Sequence, residues 1–105
     1  MPIVTLAGSA LELDAEGFLT DYKQWTEDIA RALAAEEGIA ELTARHWDVL
    51  RYMRQQFSEK GEAPSIRNMK NAGGIPTKEL YELFPGGPAK KAARIAGVPK
   101  PHGCV

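Results

Sequence analysis

The residue with the clearest chemical potential is Cys104, the only cysteine in the 105 residues and one position from the last. With no second cysteine, it has no disulfide partner within the chain. A thiol so near the terminus is not a core group, whereas reduced cysteines usually sit buried and exposed ones are chemical liabilities. Its placement points to a thiol presented to another molecule, with an accidental surface cysteine as the competing explanation. The thiolate is the reactive form, and an unperturbed pKa of about 8.5 leaves only a few per cent of it near neutrality. The carboxylate of Val105 opposes ionisation. Lys100, Lys90, Lys91, Arg94 or Arg67 could offset that if the terminal segment folds back, and a persulfide is more acidic than the thiol. His102, two residues before the cysteine, is a candidate proton acceptor and equally a spacer.

The charge distribution places the thiol in a basic region. Residues 1–62 hold 12 acids and 6 bases; residues 63–105 hold 2 acids and 7 bases, although the net charge is only −1. Such segregation suggests an anionic ligand or an acidic partner face, against the alternative of a solvated basic surface. Hydrophobic content of 44% and charged content of 26% read as a soluble globular chain. No apolar run reaches the length of a membrane span and no secretory leader is visible. With only His46 and His102 beside one cysteine, neither a disulfide framework nor a metal site is expected, and no cofactor is implied. The reducing cytoplasm is the expected compartment.

The thiol needs a domain to carry it. Ile3–Leu6 and Leu11–Leu13 are apolar-rich runs around Gly8, which predicts a β-hairpin over about residues 3–13. Asp14-Ala15-Glu16-Gly17 reads as a second turn, followed by Phe18, Leu19, Tyr22 and Trp25 as large apolar groups covering a core. Thr26 caps a helix that Gly38 stops. A stronger helix opens at Thr43, with Trp47, Leu50, Met53 and Phe57 on its apolar face. Arg45, Asp48, Arg51, Arg54 and Gln55 cover the other side, and the helix closes near Gly61. A short helix follows Pro64 and Ser65. Another is capped by Thr77 and holds Leu80, Tyr81, Leu83 and Phe84. The last runs from Pro88 to Gly97.

That last helix carries Ala89, Ala92, Ala93 and Ala96 as a thin stripe of small residues suited to close packing. Lys90, Lys91 and Arg94 cluster off the stripe, at spacings where like charges cost a few tenths of a kcal/mol per pair. A contact with an anion or a partner is one explanation; solvent screening is the other. Beyond Gly97, Pro99 and Pro101 favour an extended path of roughly 15 Å from Pro99 to Cys104, with Gly103 as a pivot. The expected architecture is mainly α. It is a small bundle of about five helices over about 26–97 with an N-terminal hairpin, forming one domain over 1–97, followed by a flexible arm over 98–105.

The runs Leu83-Phe84-Pro85-Gly86-Gly87-Pro88-Ala89-Lys90 and Ile95-Ala96-Gly97-Val98-Pro99-Lys100-Pro101-His102-Gly103-Cys104-Val105 resemble the DsrC/TusE family of sulfur-carrier proteins. Glu16-Gly17-Phe18-Leu19, Leu42-Thr43 with His46-Trp47, and Pro64-Ser65-Ile66-Arg67 match in order along nearly the whole chain. The resemblance implies a small helical bundle with an N-terminal hairpin and a mobile C-terminal arm. It also implies that Cys104 carries sulfane sulfur as a persulfide. The activity would be that of a sulfurtransferase-type carrier more than a turnover enzyme. Its partners would be an upstream persulfide donor (a sulfurtransferase or rhodanese-like protein) and a downstream acceptor enzyme. A monomer without membrane contact is expected, with nucleic acid met only indirectly.

Two features separate this chain from parts of that family. Members working with dissimilatory sulfite reductase have a second cysteine eleven residues before the penultimate one, where this chain has Ala93. The single-cysteine pattern resembles relays that pass sulfur on for tRNA 2-thiouridine synthesis, while the ending Gly103-Cys104-Val105 is closer to the two-cysteine branch. In addition, the segment from Ala72 to Leu80 is shorter than in many relatives. Within the same class, the alternative is a partner in dissimilatory sulfite reduction or sulfur oxidation. From another class comes a helix-turn-helix nucleic-acid-binding regulator, with Arg67, Asn68, Lys70 and Asn71 facing a groove. The long 58–63 connection and the acidic overall charge count against it.

Overall fold

The computed structural model describes residues 3–6 and 8–99. Lys100, His102 and Cys104 therefore lie outside the described residues. The chain opens with an antiparallel hairpin, β1 (Ile3–Leu6) and β2 (Ser9–Glu12), in the register Ile3↔Glu12 to Leu6↔Ser9. The second strand starts two residues before the apolar run that suggested it. Ladder hydrogen bonds are made by the backbone, so pairing begins wherever the turn permits, and Gly8 has the positive φ (81°) such a turn favours. After Glu12 the chain reverses over Asp14, whose carboxylate accepts from the N–H groups of Glu16 (2.9 Å) and Phe18 (3.0 Å). Leu13 then bridges to Leu19, and Phe18 and Leu19 are buried.

A 3₁₀ turn at Tyr22–Gln24, which periodicity alone did not reveal, leads to Trp25. Among the described residues five α-helices follow: α1 (Glu27–Glu36), α2 (Ala44–Lys60), α3 (Ile66–Asn71), α4 (Thr77–Leu83) and α5 (Pro88–Ala96). Thr26, Thr43 and Ser65 cap α1, α2 and α3 by accepting from the N–H of Ile29, His46 and Asn68. Gly61 closes α2 at φ 75°. The mainly helical bundle with an N-terminal hairpin is thus present. Thr77 is a correction. It is the first residue of α4 and not its cap; Pro76 precedes it, and no side chain caps that end.

The core differs in detail from the aromatic face expected of α2. His46, Val49, Leu50 and Met53 are its buried residues, while Trp47 and Phe57 are half-buried at the margin. His46 is fixed by its hydrogen bonds. Nε2 donates to the Leu83 carbonyl (2.9 Å), which can only accept, so Nδ1 accepts from the Thr43 N–H (3.0 Å). Its ring also meets Phe84 edge-on at 5.2 Å. This histidine ties α2 to the end of α4.

At the centre lies α5, packed by α1, α2 and α4. Ala89, Ala92, Ala93, Ile95 and Ala96 are fully buried. The alanine stripe serves close approach: methyl-sized side chains let three neighbouring helices reach one nine-residue helix. By contrast, α3 packs against α4 and is only six residues long, with Arg67, Asn68, Lys70 and Asn71 exposed. A recognition helix would pair with the helix before it, so this packing counts against the helix-turn-helix reading.

Candidate functional site

Cys104 follows α5 in the sequence, eight residues after Ala96, which makes the C-terminal end of that helix the candidate site. An α-helix leaves its last four carbonyls without intrahelical partners. In α5 these belong to Ala93, Arg94, Ile95 and Ala96, and each has a partner from outside the regular helix pattern. Gly97, left-handed at φ 73°, donates its N–H to the Arg94 carbonyl (3.1 Å), and Val98 donates to that of Ala93 (3.1 Å). This pair of bonds is a Schellman motif, completed by burial of both Val98 and Ala93.

The other two carbonyls are met from elsewhere in the fold. Trp25 Nε1–H donates to Ile95 O at 2.8 Å. Arg54 donates through one terminal nitrogen to Ala96 O (2.8 Å) and through the other to Tyr22 O (2.9 Å). Its guanidinium lies 4.3 Å from the Trp25 ring centroid and 5.3 Å from that of Tyr22, with Phe57 edge-on to Tyr22 at 4.9 Å. A cation held between aromatic faces at the negative end of a helix dipole is favoured by both interactions. Burial pushes the Arg54 pKa down, opposed by Tyr22, yet arginine starts so high that it remains a cation.

Arg54 is therefore half-buried where the sequence suggested a solvent-facing side chain. The signal was present, since position 54 is four residues after Leu50 and three before Phe57, on the flank of the apolar stripe. Trp25 was legible as a core lid but its N–H partner was not. A buried indole N–H nearly always finds an acceptor; which acceptor depends on the fold.

Two of the three basic residues of α5, Lys90 and Arg94, have carboxylate partners. Arg94, 14% exposed, donates to Glu36 (2.7 Å), Glu37 (3.0 Å) and the Gly17 carbonyl (2.9 Å). It thereby joins α5 to the end of α1 and to the turn after the hairpin. Lys90 lies 3.7 Å from Glu16. These carboxylates offset the like-charge cost read from the spacing of 90, 91 and 94. Lys90, Lys91 and Arg94 line a cleft of about 260 Å³, together with Glu16, Glu37 and Gly86. Arg67 stands apart from it, exposed on α3. The structure thus brings Lys90 and Arg94 together but not Arg67, and Lys100 lies outside the described residues. Elsewhere, Arg45 on α2 clasps Glu79 on α4 through two bonds of 2.9 and 2.8 Å, which hold the Glu79 carboxyl below its usual range. Among the described residues no cluster of metal-ligating groups occurs, and no helix is long and apolar enough to cross a membrane.

A short hairpin and five helices, the last of them buried and alanine-rich, in a chain whose single cysteine lies eight residues beyond that helix, define a small, mainly helical protein. The family model for DsrC-like protein matches residues 5–105, and the chain belongs to that family. It is similar to the sulfurtransferase TusE of Salmonella typhimurium, 44% identical over 93% of this chain and 95% of that protein. It is also similar to the gamma subunit of dissimilatory-type sulfite reductase from Nitratidesulfovibrio vulgaris, 36% identical over the full length of both. The solution structure of Allochromatium vinosum DsrC superposes with a TM-score of 0.85 at 37% identity, covering 98% of this chain and 97% of that one.

Proposed function

We propose that this protein is a sulfur carrier that accepts sulfane sulfur on Cys104 as a persulfide and passes it to an acceptor enzyme. The observation that carries the reading is a family match running through residue 105 in a chain whose single cysteine lies within that match. In the loading step the Cys104 thiolate attacks the outer sulfur of a donor persulfide. A new S–S bond forms at Cys104, the donor's S–S bond breaks, and the donor leaves as its own thiolate. Unloading is the same exchange in the other direction, toward an acceptor thiol. With no second cysteine, the chain cannot resolve the persulfide internally, so release requires another molecule.

The partners in this reading are a persulfide-bearing sulfurtransferase or rhodanese-like protein upstream and an acceptor enzyme downstream. One such destination is tRNA 2-thiouridine synthesis, and the compartment is the cytoplasm. A second reading, a partner of dissimilatory sulfite reduction or sulfur oxidation, is favoured by the full-length similarity to the gamma subunit. Ala93 weighs against it, because bridging through sulfur between two cysteines of this chain is impossible.

The test is incubation with a cysteine desulfurase and L-cysteine, followed by mass analysis of the C-terminal peptide. Addition of one sulfur atom to Cys104, lost in Cys104→Ser, is the expected result. No addition to the wild-type chain from this donor or from inorganic polysulfide overturns the reading.

A further inference from the structure

Extended backbone leaving a helix end is usually free to swing about the last turn. Here that freedom is removed at four consecutive carbonyls. Two are closed by the backbone of Gly97 and Val98, and two by side chains from the 3₁₀ turn and from α2. Space around the root is equally restricted: a Cβ placed on Gly97 would lie 2.5 Å from Trp25 Cδ1, and Val98 is fully buried. Pro99, the next residue, is exposed, so the chain passes from a fully enclosed position to solvent in one step. By comparison, α1 ends in the same backbone motif, with Gly38 and Ile39 donating to Ala35 and Ala34. A Schellman motif alone closes a helix. The additional Arg54 and Trp25 bonds at α5 do something further.

We propose that Arg54 and Trp25 are positioning residues that clamp the end of α5 and so set the direction in which the thiol-bearing segment leaves the domain. The inference rests on the reading of Cys104 as the sulfur-carrying group. Its physical basis is leverage. A proline-stiffened segment of roughly 15 Å, tilted by about 20° at its root, displaces its end by about 5 Å. A misplacement of about 1 Å can cost a group-transfer step on the order of a hundredfold. Precise entry into a partner's active site therefore demands a rigid root. Arg54 supplies it by spanning Tyr22 O and Ala96 O with two ends of one planar group, which lysine cannot imitate.

The single cysteine allows a direct measurement. A nitroxide attached at Cys104 broadens the amide resonances near the space that the segment explores. In the wild type, broadening is expected on one face of the domain around the end of α5. In Arg54→Lys, Arg54→Gln and Trp25→Phe it should spread, with the amides most affected in the wild type recovering at least about twofold in intensity. Ile29→Val, a fully buried change in α1, serves as a control that lowers stability and leaves the pattern intact. An unchanged broadening pattern in folded Arg54→Lys and Trp25→Phe overturns the proposal and leaves both residues as packing groups only. Should Arg54→Gln fail to fold, Trp25→Phe, which removes the N–H donor and some bulk but keeps an aromatic ring, still decides the matter. Loading of Cys104 by inorganic polysulfide, a small donor indifferent to direction, should match the wild type in every clamp variant. Absence of loading in the wild type itself would count against the carrier reading and not against the clamp.

Discussion

Gly97→Ala isolates the clamp in a single methyl group. Two costs are expected, and they separate. The first is conformational: at φ 73° a residue with a Cβ loses about 1 kcal/mol relative to glycine. The second is steric, because the new Cβ would meet Trp25 Cδ1 at 2.5 Å, Cγ at 2.9 Å and Cβ at 3.0 Å. The last of these contacts is with the root of the side chain, so rotation of the indole does not clear it and the 3₁₀ turn must shift. Displacing Trp25 breaks its bond to the Ile95 carbonyl, worth about 1–3 kcal/mol where the acceptor is left unpaired, and a stacked cation worth about 1 kcal/mol. The sum is about 3–5 kcal/mol, a large share of the roughly 5–15 kcal/mol that holds a domain of this size. At about 4–8 °C per kcal/mol, Tm should fall by at least about 12 °C. Gly38→Ala and Gly61→Ala are the controls. Both positions have positive φ (83° and 75°) and open space where the Cβ would go. Each should cost about 1 kcal/mol and no more. Calorimetry or circular dichroism on the three variants decides the question. If Gly97→Ala falls within about 0.5 kcal/mol of the other two, the steric argument is wrong. As an internal check, the added cost of Gly97→Ala should shrink in a Trp25→Ala background, where the contacts with Cδ1 and Cγ are gone and only the 3.0 Å contact with the Cβ of residue 25 remains beside the conformational cost.

Two further outcomes distinguish structural charges from dispensable ones. Arg94→Met should destabilise the fold by about 2–3 kcal/mol in urea unfolding, because it strands the Gly17 carbonyl and the partly buried Glu37 carboxylate. Lys90→Met, which removes one half-exposed pair, should stay within about 0.5 kcal/mol; equal effects would refute the distinction. The third outcome concerns pH. Glu79 has a folded pKa depressed below its ordinary value of 4.5 by its bonds to Arg45. Its contribution is present above that value and lost as pH falls through the lower folded pKa. Stability curves between pH 7 and pH 3 should therefore be less steep at the acidic end for Glu79→Gln than for the wild type. Parallel curves would show that the Arg45 pair contributes nothing to the acid limb.

The parts of the fold that could be read without coordinates are those encoded by neighbours in the chain. Thr26, Thr43 and Ser65 cap helices because a side-chain oxygen and the N–H it binds are three residues apart. Pro88 and Gly97 bracket α5 for equally local reasons of φ. Thr77 misled because the same residue type can occupy the cap or the first turn, and Pro76 before it favours an extended conformation. Trp47 and Phe57 lie at helical spacing with the core, yet both stay at its margin, while Val49, Leu50 and Met53 are the fully buried apolar residues of α2. Arg54 was misplaced because a charge on the flank of an apolar stripe reads as solvent-facing until something arrives to accept its hydrogens.

By itself the sequence determined that the chain has a single cysteine and that a proline-rich run separates it from the last helix. Those properties reside in residue identity and short spacing. Tertiary structure decided what holds that helix in place. Trp25 reaches a carbonyl 70 residues away, Arg54 one 42 residues away, and Arg94 one 77 residues away. No local period encodes such partners. They exist only once α1, α2 and the 3₁₀ turn have closed around α5, where burial makes an unpaired carbonyl costly and a fixed donor worth keeping.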